Sequence, residues 1–158
     1  MFLRGFVEIP TPAESATEVL ARLPQALVES FAVEAADHGH TVLAAVGFPV
    51  AGRRLDKQVE IELGDAVRTP SRTWLPIWWK ATGAGSLFPS LEGELEAAPL
   101  GKSLTQIGLS ARYKPPFGAV GTTLDQMLLH RIAEATIQDF LQRVAAAVET
   151  QSRLNQIV

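Results

Sequence analysis

The sequence predicts an α+β fold, a curved antiparallel sheet of six to seven strands wrapped around one long C-terminal helix, with two short helices after the first strand. Two changes of hydrophobic period carry this reading. From Thr41 to Pro115 apolar residues recur at every second position, as in strands with one buried face. After Pro115-Pro116 they recur at helical spacing. A third observation is the opening of the chain, where a short alternating run meets a proline stop and then a helical run. A sheet with one apolar face and a helix with one apolar stripe must bury them against each other.

In chain order, Phe2 to Ile9 reads as the first strand, stopped by Pro10-Thr11-Pro12. Thr11 and Glu14 have the Thr-x-x-Glu spacing of a capping box, with Pro12 at the first helical position, where a missing N–H is no loss. That helix is expected from Pro12 to Leu23; Pro24 breaks it, and a second helical segment follows through Phe31. In the meander, Val59, Ile61 and Leu63 alternate with Gln58, Glu60 and Glu62. Leu91, Gly93, Leu95 and Ala97 alternate with four polar partners, Ser90, Glu92, Glu94 and Glu96, and the run Thr105, Ile107, Leu109, Ala111, Tyr113 repeats the pattern. Turn markers stand between these runs at Ala51-Gly52-Arg53-Arg54, Gly64-Asp65, Gly83-Ala84-Gly85-Ser86 and Pro99-Leu100-Gly101-Lys102. Pro76, inside a tryptophan-rich segment, marks its strand as an edge or as bulged. Thr123 and Gln126 form a second capping box, opening a helix to about Arg153, roughly 45 Å long at 1.5 Å per residue. Its apolar stripe holds Leu129, Ile132, Ala133, Thr136, Ile137, Phe140, Val144 and Ala147, and its last turns overhang.

The length of 158 residues fits one domain spanning 1–158. A hydrophobic share of 47% against 20% charged residues excludes disorder as the main state. Zero cysteines exclude a disulfide scaffold, thiolate catalysis and thiolate metal sites. With 14 basic against 17 acidic residues, the net charge of -3 argues against nucleic acid as a partner, and no basic–aromatic interleaving is present. The first nine residues carry Arg4 and Glu8 and lack the apolar run of a signal peptide; the longest apolar stretch, Val42 to Gly52, contains Pro49 and is far short of the ~20 residues of a membrane span. No integral membrane segment and a cytoplasmic location are the expectation. Nucleotide motifs fail: Gly101-Lys102-Ser103 has Glu96 where a P-loop needs its first glycine, and Gly83 and Gly85 lack the third glycine of a dinucleotide fingerprint. No cofactor is expected. Asp37-His38-Gly39-His40 has two histidines at i and i+2, but a glycine between them and no third histidine nearby make it a surface turn, so no metal is expected either.

From Trp79 to Val148 the text resembles the carboxy-terminal half of the SRPBCC superfamily, the helix-grip fold shared by START, Bet v 1 and polyketide cyclase-like proteins. The residues that carry the resemblance are Leu87-Phe88-Pro89-Ser90-Leu91-Glu92-Gly93, Arg112-Tyr113-Lys114-Pro115-Pro116-Phe117-Gly118-Ala119-Val120-Gly121, Leu124-Asp125, and Leu129-His130-Arg131-Ile132-Ala133-Glu134-Ala135-Thr136. The element order of the whole chain agrees with it. The resemblance implies a helix-grip domain holding a hydrophobic or aromatic small molecule, lipid- or polyketide-like, between sheet and long helix. It leaves binding and cyclase or dehydratase catalysis both open, because fold does not decide chemistry.

The inward face assigned as ligand-binding comprises Val59, Ile61, Leu63, Leu75, Ile77, Trp79, Leu91, Leu95, Ile107, Leu109 and Tyr113 from strands, facing Leu129, Ala133, Thr136, Ile137 and Phe140 from the helix. These side chains meet either as packed core or around a cavity. Tyr113 and Thr136 are the polar groups placed to orient a ligand, with Thr105 and Thr73 as weaker candidates. No residue is assigned a catalytic role, although Tyr113, Thr136 and His130 are the proton-moving candidates of the catalytic alternative. His130 sits roughly 75° off the helical stripe and reads as partly exposed. Trp74 and Trp78 have the parity opposite to Trp79. A bulge at Pro76 that resets the parity would bury one of them, and unbroken alternation would leave both outward beside the glutamate row, which looks solvated. In that second case they mark a homodimer contact on a protein with a filled core, the third functional alternative.

Overall fold

A computed structural model of the chain describes residues 1–25, 27, 28, 30, 31, 58–82, 90–114 and 126–157. In order they form β1 (Phe2–Ile9), α1 (Ala13–Ala21), α2 (helical at Gln25, Leu27, Val28, Ser30 and Phe31), β2 (Gln58–Leu63), β3 (Val67–Arg68), β4 (Thr73–Thr82), β5 (Ser90–Pro99), β6 (Thr105–Lys114) and α3 (Gln126–Ile157). All strand pairs are antiparallel, in the order β1-β6-β5-β4-β2, with β3 also paired to β4. This is the α+β arrangement of one antiparallel sheet and a long C-terminal helix expected from the two changes of period. The second capping box at Thr123, the Asp37–His40 segment and the turns at Ala51–Arg54 and Gly83–Ser86 lie outside the described residues.

The long helix has 32 residues and continues past Arg153 to Ile157, where Leu154 and Ile157 are exposed beyond the sheet. Its buried stripe is Ala133, Thr136, Ile137, Phe140, Leu141, Val144, Ala145, Val148 and Ser152, the i, i+3, i+4 series of one helical face. It lies closest to β1, where Gly5 is the contact: a Cβ there would stand 2.9 Å from Leu141 Cδ1 and 3.2 Å from Ile137 Cγ2. α1 buries Ala16, Val19 and Leu20 against the same core. In α2, Gln25 donates from its amide nitrogen to the Ile61 carbonyl and ties the segment to β2.

The first capping box does not form. Thr11 is buried in a turn against β6, its N–H bonding to Ile9 O at 2.8 Å and its carbonyl accepting from Thr105 Oγ1 at 2.7 Å. The cap position falls instead on Pro12, whose carbonyl takes the first helical bond from Ala16 N at 3.0 Å.

Pro76 makes β4 neither an edge nor bulged. The register with β5 runs unbroken from Thr73↔Ala97 to Trp79↔Leu91, and β4 lies between β5 and the pair β2 and β3. A hydrogen-bonded antiparallel pair exchanges two bonds. Pro76 accepts one from Gly64 N at 2.9 Å and has no N–H to return, and β2 ends one residue earlier, at Leu63. The missing donor therefore faces the interruption at residues 64–66 between β2 and β3. Gly64 accommodates the ring, since a Cβ there would lie 3.0 Å from Pro76 Cγ. With the alternation intact, Trp74 and Trp78 both face outward, Trp78 with 42% of its surface exposed.

The glutamate row on that outer face is not uniformly solvated. Glu60, Glu62 and Glu92 are exposed, but Glu96 keeps only 8% of its surface and holds Arg72 at 2.8 Å and Arg4 at 3.6 Å. Across the ladder from it stands Gly108, whose absent side chain leaves the space Glu96 fills. Glu94 shares Arg72 at 3.4 Å, and the Arg72 guanidinium lies over the Trp74 ring, 5.6 Å from its centroid.

β5 and β6 approach closely at Gly93, where a Cβ would lie 2.7 Å from Ala111 Cβ and also collide with the Ser110 carbonyl. Gly93→Ala is expected to lower stability by about 1–3 kcal/mol through overpacking. Gly101→Ala, in open space, should stay within about 0.5 kcal/mol. Urea unfolding of the two variants checks this, and equal midpoints would contradict the close approach.

Candidate functional site

One row of the sheet supplies the site's floor. Tyr113, Leu91 and Trp79 are ladder neighbours on β6, β5 and β4, all facing the helix. Leu3 of β1 stands beside them, and Ala133, Thr136 and Ile137 of α3 close over the top from one helical face. These seven residues line an apolar void of about 20 Å³. That is enough for one water molecule or the tip of a larger one. The Trp79 ring leans on Phe140 at the void's side, centroids 5.7 Å apart and tilted by 57°.

Two polar groups in this cluster have no counterpart. Trp79 Nε1 and Tyr113 Oη are buried without a hydrogen-bond partner among the described residues. An indole N–H can only donate, and a phenol O–H donates or accepts. Leaving such a group unpaired in the interior costs about 1–3 kcal/mol. Burial also pushes the Tyr113 phenol above its ordinary value of 10.0, so the group is neutral at physiological pH.

Of the residues assigned from sequence, Trp79, Leu91, Tyr113, Ala133, Thr136 and Ile137 meet around the void. Ile61, Leu75, Ile77, Leu95, Ile107, Leu109 and Phe140 are buried in the surrounding core, and Leu63 packs partly buried against it. Val59 and Leu129 lie on β2 and α3, with side chains outside the described set. Leu3 was not assigned, although its parity with Gly5, Val7 and Ile9 marks the inward side of β1. Among the weaker polar candidates, Thr105 bonds Thr11 and Thr73 is buried in β4 away from the void. His130 is partly exposed and lies outside the lining; its Nε2 is 3.1 Å from Glu134 Oε1 and its Nδ1 2.8 Å from Met1 Sδ.

A larger groove of about 850 Å³ lies elsewhere, between the α1–α2 segment and the C-terminal half of α3, with Val19, Leu27 and Phe31 on one wall and Ala147 and Thr150 on the other. Among the described residues no three histidine, aspartate or glutamate side chains are grouped to hold a metal ion, and no helix is long and apolar enough to cross a membrane.

No family model matches the chain, and no curated protein matches its sequence. Among solved structures, a conserved protein from Geobacillus kaustophilus is similar over 95% of this chain and 96% of its own, with a TM-score of 0.55 and 13% identity. The Zhui aromatase/cyclase from Streptomyces sp. R1128 covers 94% of this chain and 93% of its own at a TM-score of 0.47 and 16% identity. A START superfamily protein from Mycobacterium smegmatis covers 95% and 98% at a TM-score of 0.37 and 15% identity. At 13% identity the likeness to the Geobacillus kaustophilus protein is one of fold alone.

Tyr113 is the sole tyrosine of the chain, so its ionisation can be read directly from the phenolate absorption band. Its folded pKa is raised, so the stability it contributes is fully present below the unfolded value near ~10 and is lost as pH rises through the folded one. The expected titration begins later than that of a free phenol and coincides with unfolding seen by circular dichroism. A phenolate forming near the free value in an intact fold would contradict the burial.

Proposed function

We propose that this protein binds an uncharged hydrophobic molecule, lipid- or polyketide-like, between the sheet and α3, and that the molecule presents a carbonyl-type oxygen to Trp79 and Tyr113. The observation that carries the reading is the pair of unpartnered buried groups beside an apolar void. An acceptor oxygen supplies what the indole N–H needs. None of the seven described lining residues is charged, and a carboxylate or phosphate placed among them would lose its hydration with no cation from these seven to replace it. The void holds only the ligand's tip, so binding requires the lining side chains to part around the rest, as in pockets that a ligand opens.

Binding is preferred to cyclase- or dehydratase-type catalysis because of the same lining. Proton transfer calls for an acid and a base in reach of one substrate. Among the described lining residues Tyr113 is the one titratable group, and its burial keeps it protonated. The reading as an interaction protein with a filled interior draws its support from the exposed Trp78 and the small volume of the void.

The test is tryptophan fluorescence with a bulky aromatic ketone and its matched carboxylic acid as probes. The ketone is expected to bind at least about tenfold more tightly than the acid. Tyr113→Phe should weaken the ketone about tenfold, one hydrogen bond's worth, while stability stays equal or rises by up to ~1 kcal/mol because an unpaired hydroxyl is gone. No response to the ketone, or a Tyr113→Phe chain that binds it unchanged, would overturn the reading.

A further inference from the structure

The first strand carries a feature that the interior site leaves unused. β1 ends the sheet: it pairs with β6 on one side and with no strand on the other among the described residues. The phase of its hydrogen bonds follows from Met1, which exchanges both backbone bonds with Tyr113, Tyr113 N to Met1 O at 2.9 Å and the Met1 ammonium to Tyr113 O at 3.1 Å. Alternate residues of a strand bond to opposite sides. Leu3, Gly5, Val7 and Ile9 therefore serve β6, and the N–H and C=O groups of Phe2, Arg4, Phe6 and Glu8 face the free edge.

Edges of this kind are commonly blunted by a proline, a bulge or inward charge. β1 has eight residues in unbroken register with β6 and none of these devices. Instead Phe2 and Phe6 stand 61% and 56% exposed on its outward face. Among the described residues a groove of about 450 Å³ runs beside this stretch, lined by Leu3, Arg4 and Gly5 together with Arg131, Glu134 and Gln138 of α3.

We infer that this edge is an interface with a second copy of the chain, the two β1 strands pairing antiparallel about a twofold axis at Phe6. That register sets Phe6 against Phe6 of the other copy, Arg4 against its Glu8 on both sides of the axis, and Phe2 against its Pro10. The Phe6 pair and the two Arg4–Glu8 pairs use the N–H and C=O groups that face the free edge, and the pairing ends at Pro10, which has no N–H to donate. Shifting the axis to Gly5 sets Arg4 against Phe6, and shifting it to Arg4 sets two arginines face to face, so charge selects the Phe6 register. Opposite charges directly across an antiparallel pair stabilise it and like charges destabilise it. Glu8 is exposed with no ion-pair or hydrogen-bond partner among the described residues, and the Arg4 side chain, 61% exposed, is held only by a 3.6 Å contact to Glu96, which keeps Arg72 at 2.8 Å when Arg4 turns to Glu8 of the other copy. The outcome is one continuous sheet through both copies, with two ion pairs flanking an aromatic centre.

Native mass spectrometry and analytical ultracentrifugation of the full chain test this with complementary variants. The wild type is expected to dimerise at micromolar concentration. Glu8→Arg alone and Arg4→Glu alone should each weaken self-association by about tenfold, because both flanking pairs become like-charged. Mixing the two variants should restore a heterodimer, since each then meets its opposite at both positions. Hydrogen exchange should show the amides of Arg4, Phe6 and Glu8 protected in the wild-type dimer and exposed in Glu8→Arg, with the core amides unchanged. A wild type that stays monomeric, or a dimer indifferent to Glu8→Arg, would overturn the inference, the latter pointing to the Trp74 and Trp78 face.

Discussion

Close approach of backbone governs the rest of this molecule, and it is set at two positions without side chains, one where the sheet meets α3 and one between two strands. Gly5 lets β1 lie against Leu141 and Ile137, and Gly93 lets β5 and β6 close on each other. Protein interiors are packed as densely as organic crystals, so a single methyl group at either place would have to push something aside. The helix cannot retreat without exposing Phe140, Leu141, Val144 and Val148, which form the centre of its buried face. Strand pairing and helix burial are thus one constraint seen from two sides.

Within this layer of the described residues lies a void of about 20 Å³ beside Trp79 and Tyr113, two large side chains whose polar atoms reach no partner among the described residues. Where aliphatic residues meet, as at Ile77, Leu95, Ile107 and Leu109, the side chains are fully buried and carry no polar group. Polar ends on bulky rings buried in the same layer are a different kind of feature. They lower stability as they stand, and an inserted acceptor would remove that penalty. The outer face works in the opposite sense, since Glu96 is partly taken from water but satisfied by Arg72 and Arg4.

Much of this was legible in the sequence because period reports face. The alternation of Ile61, Leu91, Leu95, Ile107, Leu109 and Tyr113, and the helical spacing of Ala133, Ile137 and Phe140, placed each on its buried side. What escaped depends on neighbours distant in the chain. Pro76 is tolerated inside the sheet because the strand beside it breaks at residues 64–66, a fact of pairing and not of local propensity. Glu96 is withdrawn from solvent because Gly108 stands opposite and Arg72 reaches over from the start of β4. Thr11 has a capping spacing, yet a bond from Thr105, far along the chain, holds it in another role. The site was half legible for the same reason. Parity named six of the residues around the void, but whether facing side chains fill their layer is decided by volumes that periodicity does not encode.

The most direct measurement is native mass spectrometry of freshly purified protein, followed by extraction into organic solvent and identification of what is released. The account predicts a reproducible adduct that is uncharged, apolar and oxygen-bearing, bound one per chain and lost on extraction. A chain that carries only its own mass, and that takes up nothing from an apolar cell extract, would contradict it.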